Sequence, residues 1–131
     1  MTRLVLVRHA KAEAPRVGLD DHDRALTLEG RGSAQALAQA LSEGGIEIDV
    51  ALVSSAVRTQ QTWKLMEPAF PGAQTNVVPF LYETHVAGVV ALLHGQEADG
   101  TVAVIGHEIC GCRRFRCSIH QKALDGLDLD R

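Results

Sequence analysis

The 131-residue chain has no long apolar run. Nothing in it reaches the eighteen or more consecutive apolar residues of a membrane helix, so no membrane span or membrane partner is expected. An excess of charge of one sign is also missing. Thirteen Lys and Arg stand against sixteen Asp and Glu, a formal net charge of −3. That balance argues against a dedicated nucleic-acid binder, which needs a basic face for phosphates. Cysteine is scarce, with three residues clustered at 110, 112 and 117. An odd, clustered set suggests no disulfide framework, and a cytoplasmic setting is expected. No h-region with a cleavage site follows Met1, so no signal peptide is expected. Repeats, linkers and low-complexity segments are absent from the sequence. An apolar fraction of 46% at this length suits a single domain, 1–131, built on one core.

What is present is an alternation of short apolar runs and helical patterns. "RLVLV" (3–7) lacks polar alternation, as a strand covered on both faces should. Thr27 is placed to N-cap a helix whose Ala34, Leu37, Ala38 and Leu41 share a face, and Gly44-Gly45 stops it. "DVALVSS" (49–55) predicts a second buried strand, and "AVRTQQTWKLME" (56–67) a helix closed by Pro68. "NVVPFLY" (76–82) is a third strand candidate, weakened by Pro79. "HVAGVVALLHG" (85–95) has the helical period, and "TVAVIGH" (101–107) predicts a fourth strand. The order implies an α/β fold with a mainly parallel sheet.

Three of these strands end in related chemistry. The first ends in Arg8-His9, the second leads through Ser54-Ser55 to Arg58, and the fourth ends in Gly106-His107. In a parallel sheet the carboxyl ends share one edge, where α/β ligand sites form. Any one such residue is commonplace at a solvated strand edge. Two arginines and two histidines converging on one edge suit a tetrahedral dianion. Guanidinium forks bind phosphate oxygens bidentately. A neutral imidazole can attack phosphorus, and a second, protonated histidine adds a donor for the equatorial oxygens.

"LVLVRHA", "HDRALTLEG", "SSAVRTQQT" and "VAVIGHE" together resemble the histidine phosphatase superfamily, and in particular its short SixA-type phosphohistidine phosphatases. The resemblance covers residues 3 to about 108. It implies a phosphoglycerate mutase-like, three-layer α/β/α fold. It also implies that His9 is the nucleophile that becomes a transient phosphohistidine, that Arg8 and Arg58 clamp the phosphoryl group, and that His107 stands beside the phosphate. Asp23, Arg24 and Thr27 lie in a "D-R-x-L-T" stretch read as loop ordering and helix capping. Ser54 is placed to orient the Arg58 turn. Gly106 lets the backbone pass close to the ligand. Lys11, next to the nucleophile, is either a substrate contact or a solvated cation.

Larger members of the family protonate the leaving oxygen with a carboxylic acid. The candidate here is Glu83 in "FLYETH", which reads equally well as a helix-start carboxylate, with Glu13 and Glu108 as fainter options. An alkoxide needs such an acid. An imidazole, with a pKa of roughly 6.5, departs without one. A site of two histidines and two arginines without a clear acid therefore points to phosphohistidine in a protein, such as a histidine phosphotransfer domain. Two alternatives stay open: a phosphatase of small phosphate esters, and a catalytically inactive phosphate-binding module. No cofactor and no metal are expected.

The pattern breaks after Glu108. Where the family continues with a small residue, an apolar helix and a strand, this chain reads "ICGCRRFRCSIHQKALDGLDLDR". Cys110, Cys112, Cys117 and His120 do not have a standard zinc spacing, and "RRFR" is a short basic run of the solvated kind. Residues 109–131 are expected to be a divergent or frameshifted ending. Reading the neighbouring DNA in the other frames should then uncover an apolar helix pattern, and its absence would rule out the frameshift.

Overall fold

A computed structural model describes residues 3–82 and 100–107. It contains the strands β1 (Arg3–Arg8), β2 (Val50–Ser54), β3 (Gln74–Val78) and β4 (Thr101–Gly106), and the helices α1 (Leu28–Glu43) and α2 (Val57–Met66). The four strands form one sheet in the order β1-β4-β2-β3, and every pairing is parallel. The α/β architecture with a parallel sheet is therefore as the alternation implies.

The uninterrupted apolar runs follow from burial on both faces of the pleat. Val5 and Val7 of β1, Ala51 and Val53 of β2, and Ala103 and Ile105 of β4 face one way. They pack with Leu37, Ala38 and Leu41 of α1 and with Trp63 and Met66 of α2. The alternate residues Leu4, Leu52, Val102 and Val104 face the other way and pack with Leu81. One helical layer, α1 and α2, thus covers one face. The helix expected over 85–95, on which the third layer depends, lies outside the described residues, as do Glu83, Glu108 and the tail.

The third strand differs from expectation. It runs over Gln74–Val78 rather than 76–82, and Pro79–Tyr82 forms a 3-10 turn. Proline has no N–H for the ladder and its ring fixes φ, so the chain leaves the sheet at Pro79. Among the described residues β3 pairs with β2 alone, as an edge strand, and Gln74 to Val77 are exposed. The second helix ends at Met66, one residue earlier than the reading that placed its close at Pro68, and Glu67–Ala69 adds a 3-10 turn.

The first helix starts as its sequence dictates. Thr27 Oγ1 accepts from the Gly30 N–H at 3.0 Å, an N-cap that satisfies an otherwise orphaned donor. The Thr27 N–H in turn donates to the Lys11 carbonyl at 2.9 Å. At the far end the Gly44 N–H closes on the Ala40 carbonyl, and Gly45 takes a positive φ of 78°, which costs glycine little.

Gly30 explains the glycine of the L-T-x-x-G stretch. A Cβ there would stand 2.2 Å from the Lys11 carbonyl oxygen, so α1 lies directly against the strand-end loop that carries His9. Gly30→Ala should therefore lower unfolding stability by about 1–3 kcal/mol. Gly32 sits on the exposed side of the same helix with nothing within 4 Å of its Cβ position. Gly32→Ala should raise stability by about 0.5–1 kcal/mol. Urea titration of both variants would check the opposite signs.

Candidate active site

The strand order decides the site. Because β4 lies between β1 and β2, the carboxyl ends of all three stand side by side. Arg8, the last residue of β1, is in register with Gly106, and the His9 N–H donates to the Gly106 carbonyl at 2.9 Å. The His9 and His107 ring centroids are 5.4 Å apart. The crossover thus brings together the two histidines that the chain separates by nearly a hundred residues.

Each ring is held in a definite state by its partners. His9 Nδ1 lies 2.7 Å from the Ala10 carbonyl. A carbonyl only accepts, so Nδ1 carries the proton and Nε2 keeps its lone pair. Burial, aided by Arg58 and Arg8, holds the His9 pKa below its usual value, which favours the neutral ring. His107 Nδ1 is 3.3 Å from Arg58 Nη2, and its Nε2 is 2.8 Å from Ser54 Oγ. The guanidinium only donates, so in the neutral ring Nε2 bears the proton and gives it to Ser54. Burial first, then Arg58, depresses the His107 pKa to about 4.

Arg58 is only 5% exposed. Its Nη1 donates to the Asp21 backbone carbonyl at 2.7 Å and its Nη2 to Asp21 Oδ2 at 3.1 Å. Among the described residues its Nε is buried without a partner. The turn that delivers Arg58 is stitched by Thr59, whose hydroxyl lies 2.9 Å from the Ser54 carbonyl and 2.8 Å from that of Ala56. One turn on, Thr62 Oγ1 donates to the Arg58 carbonyl and accepts from the Ala10 N–H at 3.0 Å. Gln61 Oε1 accepts from the Leu26 N–H at 2.8 Å. The S-x-x-x-R-T-x-Q-T residues thus tie α2 to the loop that carries His9 and to the start of α1.

Ser54, Arg58, His9 and His107 meet, and Arg8 is exposed at the end of β1 beside them in the ladder. Lys11 is placed otherwise. Its Nζ pairs with Glu29 Oε2 at 3.0 Å on the surface. Arg24 orders the loop, with Nε and Nη2 on Asp21 Oδ1 at 2.9 Å each and Nη1 on the Glu13 carbonyl at 2.8 Å. Asp23 is exposed, its carboxylate 3.7 Å from His22 Nδ1. A Cβ at Gly106 would meet no atom within 4 Å, so protein crowding does not require glycine there.

Three residues escape a reading of the sequence. Asp21 is the acceptor for Arg24, Arg58 and the Tyr82 hydroxyl. The Tyr82 ring stands edge-on to His107 at 5.3 Å and lies 5.1 Å from His22, whose Nε2 is 2.9 Å from Ser55 Oγ. Among four acidic or titratable residues in "DDHD", nothing in the spacing singles out Asp21. Tyr82 sits in what reads as the end of a strand. Among the described residues there is no group of three or more His, Cys, Asp or Glu that could hold a metal ion.

Two neutral histidines beside a buried arginine at a parallel sheet edge agree with what the comparisons find. The family model described as histidine phosphatase superfamily (branch 1) matches residues 4–99. The chain belongs to the histidine phosphatase superfamily. The superfamily match ends before Gly106-His107, so that part of the site rests on the geometry above. Among solved structures, a protein assigned as the phosphohistidine phosphatase SixA of Agrobacterium tumefaciens superposes with a TM-score of 0.77. It is 30% identical over 82% of this chain and 70% of that one. One so assigned from Nakamurella multipartitia gives 0.72 at 36% identity, over 82% of this chain and 59% of that one. A protein histidine phosphatase SixA complexed with tungstate gives 0.71 at 27% identity, over 81% and 69%. The likeness extends to a phosphoglycerate mutase of Plasmodium falciparum at 22% identity and a TM-score of 0.58, over 82% and 62%, which shows the shared fold. A curated chloroplastic protein of Arabidopsis thaliana is 35% identical over 100 residues, 74% of this chain. The chain spans 43% of that relative's length.

The depressed histidines set a pH dependence of stability. Between the ordinary histidine value of 6.5 and about 4, the unfolded chain binds a proton at His107 that the native site refuses. Stability is therefore complete above about 6.5 and falls as pH drops towards 4. His9 acts in the same direction. Asp21, held well below the usual carboxylate range chiefly by the Tyr82 hydrogen bond, loses its contribution only below that window. The melting temperature should fall from pH 7 to pH 4.5, and His107→Asn should flatten that slope. A pH series of thermal melts on both proteins would check it.

Proposed function

We propose that this protein is a phosphatase that acts through a transient phosphohistidine on His9, with phosphohistidine in a protein as its substrate. The observation that carries the reading is the state of His9. Its Nδ1–H is anchored on the Ala10 carbonyl, and its neutral ring offers the Nε2 lone pair beside Arg58 and His107. The SixA neighbours support the substrate class, and the tungstate complex of one of them supports a site for a tetrahedral oxyanion.

In the proposed reaction the phosphoryl group lies between Arg8, Arg58 and His107. His9 Nε2 attacks phosphorus in line as the bond to the substrate's imidazole nitrogen breaks. That nitrogen takes a proton from solvent and leaves as neutral imidazole. Water then attacks the phosphohistidine on His9, inorganic phosphate departs, and the free imidazole returns. A bound dianion raises the pKa of His107, so its Nδ1 exchanges the Arg58 hydrogen bond for a proton aimed at a phosphoryl oxygen. The imidazole attack needs no metal, and the site is proposed to work without one. A cytoplasmic location is likewise proposed. Phosphate esters make up the second reading, because the position of the acid candidate, Glu83, lies outside the described residues.

The test is phosphate release from a phosphohistidine-bearing domain, with a phosphomonoester in parallel. Wild type should release phosphate, and His9→Ala should lose at least about a thousandfold of the rate. Glu83→Gln should spare phosphohistidine. Loss of ester turnover alone would identify Glu83 as an acid for esters. Retained activity in His9→Ala would refute the nucleophile. Bound phosphate without turnover would favour an inactive binding module.

A further inference from the structure

Four donors converge on the two oxygens of one carboxylate at the mouth of this site. Arg24 Nε and Nη2 both point at Asp21 Oδ1, while Arg58 Nη2 and the Tyr82 hydroxyl point at Oδ2. Asp21 is nonetheless half-exposed, on a short 3-10 turn at Asp21–Asp23. Nothing in the proposed reaction uses this group. It cannot be the acid for a leaving group. Its pKa is driven far down by the Tyr82 hydroxyl and the two guanidinium groups, and its lone pairs are already taken.

The carboxylate is also not the sole anchor of Arg58. That side chain is buried, and its Nη1 is held by the Asp21 backbone carbonyl at 2.7 Å, a bond that no side-chain substitution removes. What the Asp21 side chain adds is a negative charge on the same Nη2 that lies 3.3 Å from His107 Nδ1, on the nucleophile's side.

We infer that the Asp21 carboxylate is a standing counter-anion in the phosphate clamp, competing with the phosphoryl group for Arg58 and weakening the hold on product phosphate. The inference rests on the phosphatase reading above. In the empty site the carboxylate neutralises Arg58 and Arg24. When a phosphoryl dianion arrives, the carboxylate repels it across the shared guanidinium. Phosphate is then bound less tightly than the arginines alone would bind it, and less binding free energy is lost on the ground state. Tyr82 tempers the effect, because its hydroxyl donates to Oδ2 and draws charge away from Arg58.

The two side chains should therefore act with opposite sign. The experiment is titration of the full chain with inorganic phosphate at pH 7.5 and fixed ionic strength, followed by calorimetry and by 31P line broadening. Asp21→Asn should bind phosphate on the order of tenfold more tightly, as removal of one like charge from a half-solvated site predicts. Asp21→Glu should restore the wild-type affinity. Tyr82→Phe, which keeps the ring against His107, should bind phosphate more weakly than wild type. A folded Asp21→Asn protein with unchanged or weaker phosphate binding overturns the inference, since a structural role for Asp21 moves affinity that way. If Asp21→Asn does not fold, the decision passes to Tyr82→Phe, for which unchanged or tighter binding overturns it. If the wild type binds no phosphate at millimolar concentration, the phosphatase reading falls and this inference falls with it. Wild-type binding with the wrong signs in the variants defeats the inference alone.

Discussion

The burial of one guanidinium governs how this molecule is put together. Arg58 is nearly inaccessible, and an unpaired charge in that position costs several kcal/mol. Its compensation comes from outside its own helix: the carbonyl and carboxylate of Asp21, 37 residues earlier in the chain, fold back over it. The loop around Asp21 must therefore be ordered, and Arg24 orders it by bridging the Asp21 carboxylate and the Glu13 carbonyl. From the other side, Thr59 and Thr62 lock the turn before Arg58 and join it to Ala10, next to His9. A single desolvated cation thus connects the ends of β1, β2 and β4 with the loop ahead of α1.

The electrostatics of the two histidines follow from that placement. Burial and the Arg58 charge both disfavour imidazolium, so each ring is neutral at pH 7 in the empty site. Neutrality serves each differently. For His9 it leaves the Nε2 lone pair available for attack. For His107 it leaves Nδ1 an acceptor from Arg58, with Nε2 donating to Ser54. In the proposed reaction a phosphoryl dianion reverses the local sign of charge, and His107 then becomes a proton-bearing donor.

The remaining architecture supplies rigidity. Parallel strands with apolar residues on both faces hold the strand ends at fixed spacing, and Gly30 lets α1 lie on the Lys11 carbonyl just beyond His9. His9 is thereby held on two sides: its own N–H donates to the Gly106 carbonyl, and the N–H of the next residue, Ala10, donates to Thr62 Oγ1. The fold is shared with the SixA neighbours, over 82% of this chain in each of two of them.

Much of this was legible in the chain. The apolar runs specified doubly buried strands because a pleat covered on both faces tolerates no polar alternation. Thr27 and Gly44-Gly45 marked α1 because unpaired helix ends demand those side chains and that backbone freedom. Arg8, His9, Arg58 and His107 stood out together, because two arginines and two histidines following three parallel strands converge on one edge and suit a tetrahedral dianion. The extent of β3 was not legible: the apolar pattern of 76–82 continues past Pro79, and only the loss of a ladder donor stops the strand there. Asp21, Tyr82 and the pairing of Lys11 with Glu29 were not legible either. Local sequence determined which segments become strands and helices, since periodicity and capping act over a few residues. Only the tertiary structure decided that β4 inserts between β1 and β2, and that Asp21 rather than Asp23 faces the buried arginine, because those outcomes depend on which distant groups must share a desolvated charge.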